Sequence, residues 1–308
     1  MTLFSFIFAF LLEQFQPLDS RKAVAPFLQW LADAIRARFH GGQRLHGVLA
    51  WLLAVLPPVI FVAVIYYGLF RVHPLLGLVW NVLVLYISLG FRRANNFFAD
   101  VLMALRMGEL DRARSQIGEW RGHLADGCSS NDVARLAIEE GLLAAHRNVL
   151  AVLFWFVILP GPSGALLYRM AEFFLRHWGR REDVESAAYG WFARQAFEVV
   201  DWVPARITAT SFAVVGDFED AVYCWRGQAS RWPDPSSGVL LASGAGALGV
   251  RLGMPVYESG EITERPELGL GDDADPDFMQ STIGLIWRTL VLCLFLLALF
   301  WVASWVGT

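Results

Sequence analysis

Lysine is nearly absent from this chain of 308 residues: Lys22 is the only one, and every other fixed cation is an arginine. A Walker A loop, an internal Schiff base and a kinase-type site each need an interior lysine, so those chemistries are excluded. Charge of either sign is also scarce, at 18% of residues against about 25% in soluble domains. The net charge is −4 and the isoelectric point about 5.9, so no positive field recruits nucleic acid, and no nucleic-acid partner is expected. Cysteine is sparse and odd in number: Cys128, Cys224 and Cys293 lie far apart with no CxxC spacing. That supports neither a disulfide framework nor a zinc site. The histidines (His40, His46, His73, His123, His146 and His177) form no HExxH or i,i+4 pair, so no metal site is expected.

What the chain has instead is apolar surface. Hydrophobic residues make up 56% and aromatics 14%, with mean hydropathy +0.45. This composition describes an all-α, polytopic membrane protein, and a spanning helix needs about 20 apolar residues. Residues 2–16 are apolar, lack a basic residue before Arg21 and show no cleavage site; they read as a retained membrane helix ending near Glu13 and Gln14. Residues 47–70 form a span in spite of Pro57 and Pro58, because lipid-embedded helices tolerate such kinks where neighbours satisfy the freed carbonyls. After the Arg71-Val72-His73-Pro74 turn, residues 75–91 form another, ending at Arg92 and Arg93. Ile286 to Val306 is the cleanest, with Trp287, Trp301 and Trp305 as interfacial anchors.

Arginine sets the orientation. Segment 17–45 holds Arg21, Lys22, Arg36, Arg38 and Arg44, and 92–121 holds Arg92, Arg93, Arg106, Arg112, Arg114 and Arg121. The positive-inside rule puts these segments in the cytoplasm, with the 71–74 turn and both termini outside. About four transmembrane helices fit that parity. The expected organisation is then N-terminal membrane helices over 1–91, a cytoplasmic or half-embedded helical domain over 92–256, an acidic linker over 257–282 and a C-terminal transmembrane helix over 283–308.

The central segment carries the expected function. Residues 97–120 read as amphipathic helices joined at Gly108-Glu109, and Ser130 or Asn131 as the cap of a helix holding Glu139 and Glu140. Val149 to Leu159 is apolar but only eleven residues long before Pro160-Gly161-Pro162-Ser163-Gly164, too short to cross alone. With the helix that follows, it reads as a hairpin over 149–178, buried or re-entrant on one face, that Arg180 and Arg181 return to the cytoplasmic side. Ser236 to Gly253 is rich in small residues, which let helices approach closely or let backbone approach an anion.

Three carboxylates sit in apolar surroundings: Glu13, Glu172 and Asp201. Ionisable groups at membrane depth are costly and are functional or paired, the plainer alternative being a structural pair such as Asp201 with Arg206. Arg169 and Arg206 can grip a carboxylate or phosphate bidentately, or reach out to the interface. Other patterns carry no chemistry. Gly244-Ala245-Gly246-Ala247-Leu248-Gly249 spells GxGxxG but follows no strand, the Asp272–Asp277 run lacks the glycine and glutamate of an EF-hand, and Ser163 is not in G-x-S-x-G.

Several blocks resemble the CobD/CbiB family of membrane proteins. They are Gly108-Glu109-Leu110-Asp111-Arg112-Ala113-Arg114; Leu153-Phe154-Trp155 with Gly161-Pro162-Ser163-Gly164-Ala165-Leu166-Leu167-Tyr168-Arg169; Asp201-Trp202-Val203-Pro204-Ala205-Arg206; and Gly246-Ala247-Leu248-Gly249-Val250-Arg251-Leu252-Gly253. They keep the family's order, and with the membrane segments they cover most of the chain. The resemblance implies a bacterial inner-membrane enzyme of cobalamin biosynthesis that joins an aminopropanol unit, free or phosphorylated, to a propionate carboxyl of adenosylcobyric acid. Its partners would be a corrinoid small molecule and the lipid bilayer, with a homo-oligomer compatible; the cofactor stays open. On this resemblance Asp201, Arg206 and Arg169 orient the reacting carboxylate or phosphate. Glu13, Glu139, Tyr168, Glu172, Ser237, Gly246, Gly249 and Arg251 are the substrate-binding residues.

The chain departs from the family pattern in three places. An early Asp followed by Gly-Asp-Pro is replaced by Leu12-Glu13-Gln14-Phe15-Gln16-Pro17. Ala-Glu-Asn-Thr is replaced by Leu142-Leu143-Ala144-Ala145, and Asn-Thr-Leu-Asp by Ala171-Glu172-Phe173-Phe174. These changes, with the Met1-Thr2-Leu3-Phe4 opening, resemble the AmpE branch, whose members are non-catalytic membrane proteins linked to cell-wall recycling and β-lactamase induction.

Overall fold

The structure, a computed structural model, describes residues 2–16, 25–38, 44–179, 184–258 and 261–306. Arg21, Lys22, Arg180 and Arg181, used above for orientation, lie outside the described residues, as does the side chain of Trp305. The fold is helical, with short strands only toward the C-terminal side. Among the described residues, four helical stretches are long and apolar enough to cross a membrane: Arg44–Val72, Pro74–Arg106, Ser130–Ile158 and Pro276–Ala303. The chain is a membrane protein. It divides into two compact units, Met1–Gly90 with Ala151–Pro204, and Phe91–Leu150 with Ala205–Thr308.

The first unit begins with α1 (Thr2–Phe15). At about 1.5 Å per residue its 14 residues fall short of a hydrocarbon core of about 30 Å, so α1 is not one of the long apolar helices. Helix α2 (Ala25–Arg38) occupies the basic stretch for which no helix is predicted from sequence. Helix α3 (Arg44–Val72) continues without interruption through Pro57 and Pro58. Helix α4 (Pro74–Ser88) starts sharply because Pro74 has no amide to waste and His73 Nδ1 accepts from Leu75 N at 3.2 Å. The regular helix of the expected span 75–91 stops at Ser88, and α5 (Phe91–Arg106) follows Leu89 and Gly90, the two together making up the long apolar stretch Pro74–Arg106.

In the second unit, α5 buries Phe91, Ala94, Phe98, Val101, Leu102 and Leu105, a helical stripe, against α6 (Leu110–Arg121) and α7 (Ser130–Ile158). The cap of α7 is Ser129, one residue before the expected position. Asp132 N donates to Ser129 Oγ (3.2 Å) while Ser129 N donates to the Asp132 carboxylate (2.9 Å), so both orphan amides are satisfied. Val149–Leu159 is not a short separate piece. Helix α7 continues into it through a π-helical turn, His146–Leu150, because His146, Arg147 and Asn148 interrupt the hydropathy but break no helix. The apolar stretch of α7 is 56% buried inside the protein, against 17% for that of the C-terminal helix. Helices of similar length thus differ in setting, α7 contributing to the core and the C-terminal helix leaving most of its apolar surface uncovered.

The chain continues through α8 (Ser163–Phe174), α9 (Val184–Val215), α10 (Phe218–Gln228) and α11 (Pro235–Leu248). Small residues let α10 and α11 touch. A Cβ on Gly246 would stand 2.4 Å from Asp220 O, so only glycine allows this approach. The acidic stretch expected as a linker is structured. Strand β1 (Val250–Gly253) pairs antiparallel with β4 (Glu267–Leu268) and parallel with β5 (Asp272–Asp273), while β2 (Val256–Glu258) and β3 (Glu261–Thr263) form a hairpin. Asp275 then caps α12 (Pro276–Val306) by accepting from Asp277 N and Phe278 N, so the last helix begins before residue 283.

Candidate functional site

In the first unit, the Pro160–Ser163 turn launches α8, with Ser163 Oγ donating to Pro160 O at 2.8 Å. Spacings of four along α8 and the π-helical turn Leu175–Gly179 that continues it put Tyr168, Glu172 and Arg176 in one row, with Arg169 beside it. The Glu172 carboxylate is buried between two arginines: Arg169 Nη1 donates at 2.8 Å, and Arg176 Nη2 donates to the other oxygen. Arg169 Nε also donates to Ser88 O, the last carbonyl of α4, where a cation complements the helix dipole. Tyr168 and Asp201 are both fully buried, and the phenol donates to Asp201 Oδ1 at 2.8 Å. The Tyr168 ring packs on Phe197, one turn before Asp201 on α9. Glu13 is buried in α1 of the same unit. The structure thus forms two buried polar contacts in this unit, Tyr168 with Asp201, and Glu172 with Arg169 and Arg176. Arg169 offers fixed donors for an anionic oxygen, and Asp201 a carboxylate.

The other expected residues lie in the second unit. Arg206 is half-buried on α9, and burial pushes its guanidinium below the usual value. Glu139 on α7 accepts from Gly253 N at 2.8 Å and from Arg265 Nη1 at 2.7 Å. Arg265 donates further to Met254 O and Gly253 O and stacks over Trp232. Gly253 turns with φ 73°, and a Cβ there would meet Pro266 O at 2.0 Å, so glycine alone lets this loop present its amide to Glu139. Ser237 accepts from Arg147 Nη2 at 3.0 Å and donates to Asp234, which caps α11. Gly246 is the helix contact described above, and Gly249 ends α11 in the left-handed conformation. Arg251 is half-buried and pairs with Asp273 at 2.7 Å.

Sequence reasoning missed Arg265, Arg147, Asp234 and the buried His146–Thr208 contact at 2.9 Å. A lone arginine in an acidic stretch was the one available signal for Arg265. Among the described residues no group of three or more His, Cys, Asp or Glu side chains converges in metal-binding geometry.

Fold and site define a class: a helical membrane protein with a buried Tyr–Asp pair and an Arg–Glu–Arg chain on the helix after a Pro-Gly-Pro turn. The chain belongs to the CobD/CbiB family, matching the family described as "CobD/Cbib protein" over residues 7–303. It is similar to the "Cobalamin biosynthesis protein CobD" of Stutzerimonas stutzeri, 34% identical over 261 residues that cover 83% of this chain and 84% of the relative. The protein of the same name from Chromobacterium violaceum is also 34% identical, over 70% of this chain and 68% of its own length. That from Yersinia enterocolitica is 26% identical over 87% and 88%. No solved structure matches.

Proposed function

We propose that this protein acts in cobalamin biosynthesis, condensing the propionate carboxyl of adenosylcobyric acid with the amine of an aminopropanol, free or phosphorylated, to give an amide. The observation that carries the reading is the match to relatives named for cobalamin biosynthesis across most of the chain. The two buried contacts on α8 and α9 add to it. Arg169 holds an anionic oxygen of the substrate, Glu172 fixes the direction of Arg169, and Asp201, oriented by Tyr168, takes the proton that the amine loses on attack. Displacing the carboxyl oxygen requires that it first be activated, as an acyl phosphate for example. The only lysine, Lys22, provides no P-loop for a nucleotide, so the activating partner is outside this proposal.

The test is a corrinoid-dependent bacterial strain lacking its own relative of this protein. Expression of the chain should permit growth on cobyric acid, whereas the strain without it should grow only on cobinamide. Arg169→Ala should abolish growth on cobyric acid and leave growth on cobinamide intact. Unchanged growth of that variant would remove Arg169 from the reaction.

A second reading, a non-catalytic AmpE-like membrane sensor, is favoured by one observation. Where the family has the carboxylate of Ala-Glu-Asn-Thr, Leu143 packs against the hydrophobic core. On that reading the purified protein binds no adenosylcobyric acid, which a calorimetric titration in detergent decides.

A further inference from the structure

Helix α2 shows two unlike faces. Ala32 is fully buried, so its side is docked on its own unit, while exposed Asp33 reaches His177 Nε2 at 3.2 Å from the rim of that side. At 100° per residue, Phe27, Trp30, Leu31, Ala34 and Arg38 share the opposite side. Phe27 and Trp30 are 60% and 63% exposed and stack on each other at 6.1 Å between centroids. An exposed aromatic pair on a short helix is expensive in water. Its surroundings follow from covalent reach. Arg38 ends α2 and Arg44 begins α3, one of the long apolar helices, and six residues span at most about 20 Å. Helix α2 therefore stays close to the bilayer surface where α3 enters. Cations gather at this end: Arg36, Arg38 and Arg44.

We propose that α2 is an interfacial helix lying in the plane of the membrane, with Phe27 and Trp30 seated at the boundary of headgroups and acyl chains and Arg38 against the phosphates of anionic phospholipids. Amphipathic helices with aromatic apolar faces and basic flanks bind such surfaces through both terms. The occupant is lipid rather than a second protein because α2 ends in arginine within six residues of a helix long and apolar enough to cross a membrane.

Depth-sensitive spin labelling of the full chain in nanodiscs tests this. Cys128 and Cys224 are fully buried, so Cys293→Ala leaves a background in which Phe27→Cys or Gln29→Cys carries the label. The Phe27→Cys label should collide more with oxygen than with a water-soluble nickel chelate. The Gln29→Cys label, about 160° around the helix, should show the reverse. A Phe27→Cys label more open to nickel, or closed to both reagents as under a protein partner, overturns the proposal. Adding phosphatidylglycerol to phosphatidylcholine discs should deepen the Phe27→Cys label, and Arg38→Glu should cancel that shift. Equal depth in both lipids with Arg38 intact overturns the assignment of anionic headgroups.

Discussion

The phenol of Tyr168 donates to Oδ1 of Asp201 at 2.8 Å, and neither side chain reaches the surface. Removing one partner of a buried hydrogen bond costs about 1–3 kcal/mol. Tyr168→Phe should lower stability by that amount, read as a lowered unfolding temperature in detergent. Asp201→Asn keeps the volume and one acceptor, so it should unfold at nearly the parental temperature and yet fail to support growth on cobyric acid. An Asn variant that still supports growth would make the pair purely structural.

Glu139 and Arg265 form an ion pair whose side chains are only 5% and 11% exposed. Removing one partner of such a pair leaves a buried charge and costs about 3–5 kcal/mol, whereas replacing both by apolar groups costs far less. Arg265→Ala should therefore destabilise the protein severely, and Glu139→Leu combined with Arg265→Met should recover most of the loss. A double-mutant cycle by chemical denaturation measures the coupling.

The contact between α10 and α11 depends on the missing side chain at Gly246. Gly246→Val should push the helices apart at Asp220 and cost about 1–3 kcal/mol. Gly227→Ala, where a Cβ would meet nothing within 4 Å, should be neutral or stabilising. Thermal unfolding of the two variants side by side separates packing from backbone effects.

Burial, followed by the nearby Asp220 carboxylate, pushes the Cys224 thiol up to about 11, against a partial opposing contribution from the Gly269 amide. The folded chain thus keeps a proton that the unfolded chain releases near pH 9. Stability from this group is complete below pH 9 and is lost as pH rises through about 11. Cys224→Ala should flatten the fall in stability between pH 9 and 11, and Cys224 should resist alkylation at pH 8 in the folded protein.

Much of this arrangement can be read from the sequence, for physical reasons. Helices α3 and α12 follow from continuous apolar runs, and the residues of α8 from their spacing after Pro-Gly-Pro. Tyr168, Arg169, Glu172 and Asp201 stand out because ionisable groups are rare in such surroundings. The missed features lack a local signal. Helix α2 is too short and too mixed to register in hydropathy, the strands pair two to four residues each, and Glu139 meets Arg265 across 126 positions of chain. The continuity of α7 was hidden because polarity at His146–Asn148 looks like a break, although none of those residues opposes a helix.

That last separation has a consequence in time. Glu139 is made 126 residues before the arginine that neutralises it, so at about 5–20 residues per second it waits roughly 6–25 s during synthesis. Throughout that interval the Ser130–Ile158 helix carries an uncompensated carboxylate, which opposes its burial in an apolar setting. Arg265 emerges only shortly before α12. The second unit is therefore expected to close late, at nearly the moment its last hydrophobic helix leaves the ribosome, and a chain truncated before Arg265 should be held by chaperones or degraded rather than accumulate half folded.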